Sequence, residues 1–150
     1  MRFLADNMLG KLAKWLRFMG YDVLYPNDME DKELVQLSRS DDRLLLTRDK
    51  ELAKIKNLNV IYITSELLDE QLKQLINELN LKVTENAFIR CPECNKMLEK
   101  VNKDEIINNV PEGVYKTQDN FWFCNQCNQY FWKGSHYTKI KQKLSELLEK

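Results

Sequence analysis

Carboxylate and hydroxyl side chains follow short apolar segments at several points in this sequence of 150 residues. The clearest case is the segment 43–49, in which three consecutive leucines precede Thr47, Arg48 and Asp49. A short apolar run between polar residues is typical of a strand covered on both faces, as in a parallel sheet. Because ligands bind beyond the carboxyl ends of such strands, Thr47 and Asp49 are candidate functional residues.

Further acidic residues are predicted at the same edge of the sheet. Asp6 follows the apolar segment 3–5, and an acidic cluster at 28–31 follows the predicted strand 21–25. Because parallel strands end at one edge, we expect these carboxylates to lie near Asp49. Carboxylates that lie close together repel one another unless a cation lies between them, which favours a Mg²⁺ or Mn²⁺ site. The competing interpretation is that each acid only caps the helix that follows it.

The four cysteines form two Cys-x-x-Cys pairs, Cys91 with Cys94 and Cys124 with Cys127. Two such pairs are typical of a tetrahedral site with four thiolate ligands, and zinc is the metal expected there. Because all four ligands are protein atoms, the zinc is predicted to be structural. A mononuclear iron site of the rubredoxin kind uses the same ligands and is the alternative.

An asparagine directly follows each cysteine pair, Asn95 after the first and Asn128 after the second. In such knuckles this position commonly has a left-handed backbone, which glycine adopts most readily and asparagine next. We therefore predict a positive φ angle at both asparagines.

Strands and helices are predicted to alternate in the first part of the chain. Apolar residues recur at helical spacing after each predicted strand, with Asp6 or Asn7 as the cap of the first helix and Gly20 as its end. Right-handed crossovers make the four strands parallel, with helices on both faces of the sheet. We predict an α/β fold for residues 1–85 and a small zinc ribbon with a C-terminal helix for residues 86–150.

Charge and hydropathy exclude several classes of protein. The 23 basic and 23 acidic residues balance, so a preference for nucleic acid must come from local patches of charge. No apolar segment reaches the roughly 20 residues of a membrane span. Basic residues interrupt the first apolar segment, so we expect no secretory signal, and paired cysteines in a reducing compartment favour metal binding over disulfides. We expect a cytoplasmic protein without a membrane partner.

Basic residues occur where they could bind the phosphate groups of a substrate. For the basic residues of the first predicted helix, the competing interpretation is a solvated helix face. For His136, at the start of the last helix, the competing interpretation is a capping role. The aromatic segments 121–123 and 130–132 either pack in the core of the ribbon or stack on nucleic-acid bases. The candidate substrate-binding residues are Lys14, Arg17, Arg48, Lys133, His136 and Lys139.

The order of these motifs resembles a known family. The segments 3–17, 28–34 and 45–49, the two cysteine pairs and the segment 130–136 together resemble a PIN-like RNase domain with a C-terminal zinc ribbon. This family is named for the C-terminal domain of the Mut-seven exonuclease. The resemblance covers nearly the whole chain and implies a PIN-like α/β/α nuclease fold.

The resemblance also implies roles for individual residues. Asp6, Asp31 and Asp49 are at the positions that look like metal-binding acids, and Thr47 is at the position of a supporting hydroxyl. PIN nucleases usually have about four acids, and the fourth remains open here. The candidates for it are Asp28, Glu30 and Glu33.

Two functions are compatible with the sequence. The first is a metal-dependent ribonuclease that hydrolyses RNA phosphodiester bonds through carboxylate-bound Mg²⁺ or Mn²⁺, with the zinc ribbon assisting RNA binding. The second is a module with the same fold that binds RNA, the ribosome or a protein partner without turnover. A change of Asp49 to asparagine distinguishes them, because it should abolish cleavage without weakening RNA binding.

Overall fold

The computed structural model describes residues 1–84 and 87–149 of the chain. Four strands form its first sheet: β1 (Arg2–Ala5), β2 (Asp22–Leu24), β3 (Leu44–Thr47) and β4 (Val60–Tyr62). They lie in the order β2-β1-β3-β4, and every neighbouring pair is parallel. The predicted parallel sheet is therefore confirmed, and all four strands end at the same edge.

A helix follows each strand, so that both faces of the sheet are covered. The helices are α1 (Gly10–Phe18), α2 (Asp31–Ser40), α3 (Lys50–Ala53) and α4 (Leu68–Leu79). Buried residues of α1 and α4 belong to the core on one face, and leucines of α2 and α3 belong to the core on the other. Within the described residues, none of the helices has the length and apolar character needed to cross a membrane.

The first helix begins later than the sequence predicts. Its N-cap is Leu9, which makes no side-chain capping hydrogen bond, so the prediction that Asp6 or Asn7 caps α1 is wrong. The carboxylate of Asp6 instead accepts a hydrogen bond from Met8 N (3.0 Å) in the turn before the helix. Gly20 follows the end of the helix with φ 101°, as predicted.

The cysteine-containing part of the chain forms a small antiparallel sheet. Its strands β5 (Glu99–Val101), β6 (Phe121–Cys124) and β7 (Gln129–Phe131) lie in that order, with both pairs antiparallel. A 3₁₀ turn at Lys103–Glu105 and the helix α5 (Glu112–Thr117) connect the first two strands. The core of this ribbon is small, and a bound metal is therefore expected to supply much of its folding free energy.

The C-terminal helix α6 (Ser135–Leu148) packs against the core of the first sheet. Its residues Ile140, Leu144 and Leu147 are buried in the same core as α1 and α4. Lys143 of α6 also forms an ion pair with Asp69 of α4 (Nζ–Oδ1 2.8 Å). The predicted domain boundary, between residues 85 and 86, lies outside the described residues, but α6 clearly returns the chain to the first unit.

Asn95 joins the first cysteine knuckle to the edge strand β2. The φ angles of Asn95 and Asn128 are 78° and 57°, so the predicted left-handed conformation is confirmed at both. The side chain of Asn95 accepts a hydrogen bond from Val23 N (2.9 Å) and donates one to Asp22 Oδ1 (2.7 Å). Asn128 is exposed, and its side chain makes no hydrogen bond within the described part of the chain. The two asparagines therefore share a backbone role, but only Asn95 connects the knuckle to the sheet.

We expect Asn95→Gly to lower the free energy of unfolding by about 1–3 kcal/mol, because the change removes the partner of a buried backbone N–H group. Asn128→Gly is the matched control, since glycine adopts the left-handed conformation at least as readily as asparagine. Its effect should stay within about 0.5 kcal/mol. Urea unfolding of both zinc-loaded variants measures the difference. Equal effects would show that the Asn95 amide does not stabilise the docked knuckle.

Candidate active site and four-cysteine site

A chain of hydrogen bonds connects three of the predicted residues at the carboxyl edge of the first sheet. Thr47 Oγ1 donates to Asp6 Oδ2 (2.5 Å) and accepts from Asp49 N (2.9 Å). Thr47 is fully buried and Asp6 is 5% exposed. The residues meet because β1 and β3 are adjacent and in register, with Ala5 opposite Leu46. The hydroxyl of Thr47 therefore fixes both the Asp6 carboxylate and the backbone that carries Asp49.

Asp31 lies close to the same group of acids, at the first position of α2. Partial desolvation raises the pKa of Asp31 above its usual value, and the negative charge of Asp49 raises it further, with smaller contributions from Asp6 and Glu30. The structure thus brings Asp31, at the start of α2, near Asp6 and Asp49, which follow β1 and β3.

The acids at the opposite edge of the sheet have a different environment. Arg43 lies 2.8 Å from Asp22 (Nη1–Oδ1) and 2.6 Å from Asp41 (Nε–Oδ2). Partial burial of Asp22 opposes its ionisation, but hydrogen bonds from Arg43 and Asn95 lower its pKa, and hydrogen bonds from arginines also lower the pKa of Asp41. At the carboxyl edge, by contrast, no described lysine or arginine lies within 4.0 Å of the three carboxylates. The three carboxylates at the carboxyl edge thus lack the arginine partners that Asp22 and Asp41 have.

Asp49 also caps the helix that follows it, which is the role that the competing interpretation predicts. It is the N-cap of α3, and its Oδ1 accepts hydrogen bonds from Glu51 N (2.9 Å) and Leu52 N (3.4 Å). Both bonds are made to the same oxygen. The cap therefore leaves Oδ2 available to a ligand.

The candidates for a fourth acid occupy different environments at the start of α2. Glu30 and Glu33 form a capping box, in which Glu33 Oε1 accepts a long hydrogen bond from Glu30 N (3.5 Å). Asp28 is exposed and has no hydrogen bond or ion pair within the described residues. Glu33 thus serves the helix end, and Asp28 is the candidate without a structural role.

The four cysteines form a compact cluster. Cys91 Sγ lies 3.9 Å from Cys127 Sγ, and Cys94 Sγ lies 3.4 Å from Cys124 Sγ. All four sulfur atoms lie within 4.8 Å of one another. In residues 1–84 and 87–149, no other group of three or more His, Cys, Asp or Glu side chains lies so close together. In a tetrahedral site with Zn–S bonds of about 2.3 Å, the sulfur atoms are about 3.8 Å apart. The four cysteines are therefore spaced to hold a zinc ion.

The prediction that Arg17 binds substrate is wrong. Arg17 is 5% exposed, and its guanidinium donates hydrogen bonds to Val23 O (3.0 Å, from Nε) and Pro92 O (2.7 Å, from Nη1). The alternative of a solvated helix face does not apply to it either. Arg17 instead connects α1 and β2 to the first cysteine knuckle.

Three other predicted substrate-binding residues, Lys14, Lys133 and His136, line one cavity between α1, the first knuckle, the β6-β7 pair and α6. Lys139 is exposed on α6 and lies outside this cavity. Arg48 precedes Asp49, and its buried Nε has no hydrogen-bond partner within the described residues.

Several residues that line the cavity were not selected by the sequence analysis. Trp15 and Lys11, both on α1, face it together with Lys14. The available signal was a tryptophan next to a lysine on an amphipathic helix, which by itself is also typical of an ordinary half-buried helix face.

The sequence matches a known protein family over most of its length. The family model of the Mut7-C RNAse domain matches residues 1–144 of the chain. No curated protein and no solved structure matches it significantly. The family description indicates a nuclease function with RNA as the substrate, and the four-cysteine cluster accompanies it here. The chain therefore belongs to the Mut7-C RNAse domain family.

Proposed function

We propose that this protein is a metal-dependent ribonuclease with a PIN-like fold, in which Asp6, Asp31 and Asp49 hold Mg²⁺ or Mn²⁺. The observation that carries the proposal is the convergence of three carboxylates without a cationic partner at the edge where parallel sheets bind ligands. Their mutual repulsion is relieved by a divalent cation. Oxygen donors without a nearby histidine suit Mg²⁺ or Mn²⁺ best.

The residues of the site are prepared for this role. When bound, such a cation supplies a water of lowered pKa and positive charge for the phosphodiester oxygens. Met8 N and the Thr47 hydroxyl hold the Asp6 carboxylate in place before substrate binds. Arg48 is half-buried next to Asp49 and would offer the terminal nitrogens of its guanidinium to a substrate phosphate.

The four-cysteine site is proposed to hold a structural zinc ion, and the ribbon is proposed to assist RNA binding. All four ligands come from the protein, so the site has no open position for a reacting group. Lys14, Lys133 and His136 in the adjoining cavity would contact the RNA.

The second candidate function is a module that binds RNA or the ribosome without cleaving it. Two observations favour it. Asp49 caps α3, and in the described residues the group of possible metal ligands that lies close together is the four cysteines, not the three carboxylates. Acids that only cap helices would keep the fold without supporting turnover.

Cleavage of labelled single-stranded and structured RNA by zinc-loaded protein freed of magnesium and manganese tests the proposal. We expect cleavage to require added Mn²⁺ and to fall at least about 10²-fold in Asp31→Asn. A loss of about 10²-fold is the upper end of the range for residues that only orient a metal ligand. Asp42→Asn is the matched control, because Asp42 is exposed at the amino edge with φ 51°, which asparagine tolerates. Cleavage that needs no metal, or that persists in Asp31→Asn, contradicts the metal site. No cleavage by the folded protein favours the binding module.

Thr47→Val is expected to reduce Mn²⁺-dependent cleavage by about 10- to 100-fold, because Asp6 and the Asp49 backbone lose their common partner. Thr47→Ser is the control, since it keeps the hydroxyl at the same position. Both variants are compared in initial cleavage rates at a temperature where circular dichroism shows them folded. A valine variant as active as the serine variant would show that the hydroxyl does not position the acids.

A further inference from the structure

An aromatic cavity of about 500 Å³ lies where α1, the first knuckle, the β6-β7 pair and α6 meet. This volume is within the range of small-ligand sites, about 300–1,000 Å³. The cavity is lined by all three tryptophans of the chain together with other rings. These aromatic residues are Trp15, Phe18, Phe88, Trp122, Phe131, Trp132 and Tyr137.

The β6-β7 pair presents one aromatic face to the cavity. Trp122 and Phe131 are directly opposite each other in the strand register, line the cavity and belong to no hydrophobic core of the described residues. Their neighbours Phe121 and Tyr130 pack in the core of the ribbon. Because side chains alternate along a strand, one set of rings stabilises the ribbon and the other set remains available to a ligand.

Cationic groups surround these rings. Lys133 Nζ lies 5.3 Å from the centre of the Trp122 ring and 5.2 Å from that of Tyr137, although the lysine side chain is exposed. Arg90 also lines the cavity, and its buried Nε has no hydrogen-bond partner in the part of the chain that the structure describes. Flat rings beside cations complement a nucleotide, which has a flat base and an anionic phosphate.

The cavity is connected to the candidate active site along α1. Lys11 lines both the cavity and a second groove, formed by residues 8–12 and the start of α4. The same segment is fixed to Asp6 by the hydrogen bond from Met8 N (3.0 Å). Among the residues that the structure describes, Glu93 is the one acid that lines the cavity, and Lys14 neutralises it at 2.8 Å (Nζ–Oε1).

We propose that the aromatic cavity binds an unpaired nucleobase of a single-stranded RNA segment whose backbone continues toward Asp6. This assignment rests on the proposed function, because it gives a substrate class to the same site. In a duplex, each base is paired with the other strand and stacked between its neighbours, so it cannot lie between protein rings. A base in a single strand, a loop or an end can do so. The base stacks on Trp122 and Phe131, and Lys133 contacts the adjacent phosphate.

The test measures binding by the full-length, zinc-loaded protein without Mg²⁺ or Mn²⁺, so that no metal-dependent cleavage occurs. The probes are a single-stranded oligouridylate, an abasic strand of equal length and charge, and a fully paired duplex. We expect the single strand to quench tryptophan fluorescence and to bind on the order of tenfold more tightly than the abasic strand. Equal affinities for the single strand and the abasic strand, or binding without quenching, overturn the proposal.

A pair of matched variants adds a second measurement. Phe131→Leu keeps all three tryptophans and should lower the affinity for the single strand on the order of tenfold, without changing that for the abasic strand. Tyr115→Leu is the control, because Tyr115 also contacts a lysine (Lys103 Nζ, 4.9 Å) but lies in the ribbon outside the cavity. Equal effects of the two variants contradict the proposal.

The two proposals fail in different ways. Base-dependent binding without Mn²⁺-dependent cleavage supports the cavity assignment and refutes the nuclease. Mn²⁺-dependent cleavage with no preference for a base over an abasic position overturns the cavity assignment and leaves the nuclease proposal intact.

Discussion

Changing Asp49 to asparagine is expected to reduce Mn²⁺-dependent RNA cleavage at least about 10²-fold while the protein stays folded and binds RNA. The side-chain oxygen of asparagine can still accept the hydrogen bonds from Glu51 N and Leu52 N, because asparagine is as good an N-cap as aspartate. The change removes the charge that raises the pKa of Asp31, so the pKa of Asp31 should fall toward its usual value. RNA affinity should stay equal or rise, since a negative charge near the phosphates is lost.

The experiment compares cleavage with added Mn²⁺ and binding without it, using one labelled single-stranded RNA. Glu51→Gln is the control: Glu51 is a neighbouring exposed acid whose ion pair with Lys54 (3.5 Å) lies on the helix surface. Loss of cleavage with retained affinity assigns Asp49 to catalysis. If RNA affinity falls together with cleavage, Asp49 is needed to keep the RNA-binding surface folded. That result contradicts both the nuclease and the binding module as proposed.

The carboxyl edge of the sheet could be predicted from the sequence because its signals are local. Each strand is a short apolar run, and the acid or hydroxyl that follows it is carried to the edge by the parallel topology alone. Thr47 and Asp49 follow from this rule without any knowledge of tertiary contacts. The left-handed asparagines were equally predictable, since the knuckle fixes their backbone conformation whatever packs around it.

The roles of Asp6 and Arg17 were harder to predict because they depend on distant partners. Asp6 does not cap α1, since its carboxylate is bound by Thr47 from a neighbouring strand. Arg17 has the same helical spacing as the exposed lysines of α1. It is nevertheless buried, because its guanidinium donates a hydrogen bond to Pro92 O of the first knuckle, which is far along the sequence. No periodicity in a helix can show which of its polar residues will meet another module.

Replacing the proposed zinc ligand Cys124 by serine is expected to release zinc and to destabilise the whole chain rather than the ribbon alone. Structural zinc contributes about 10–16 kcal/mol of apparent binding free energy in zinc-finger peptides, as much as the entire stability of a typical domain of about 5–15 kcal/mol. The sequence alone favours separate units, in which residues up to about Leu79 would remain folded. The contacts between the units indicate that they unfold together.

Three connections carry the coupling. Loss of the knuckle removes the Pro92 carbonyl that binds buried Arg17, and the Asn95 side chain that binds Val23 N at the edge of the sheet. In addition, α6 follows the ribbon directly and places Ile140 and Leu144 in the core shared with α1 and α4. A buried guanidinium without its acceptor and an edge strand without its partner both destabilise the first sheet.

Hydrogen exchange of the backbone amides in β1 and β3 measures the effect, with bound zinc determined on the same samples. Gln126→Ser is the matched control, because it changes an exposed residue between Cys124 and Cys127 and removes no ligand. We expect amides in β1 and β3 to lose protection in Cys124→Ser and in chelator-treated protein, and to regain it in the chelated protein when zinc is returned. Full protection of β1 and β3 in zinc-free protein would show instead that the first sheet and its helices fold without the ribbon, so that the metal stabilises the ribbon alone.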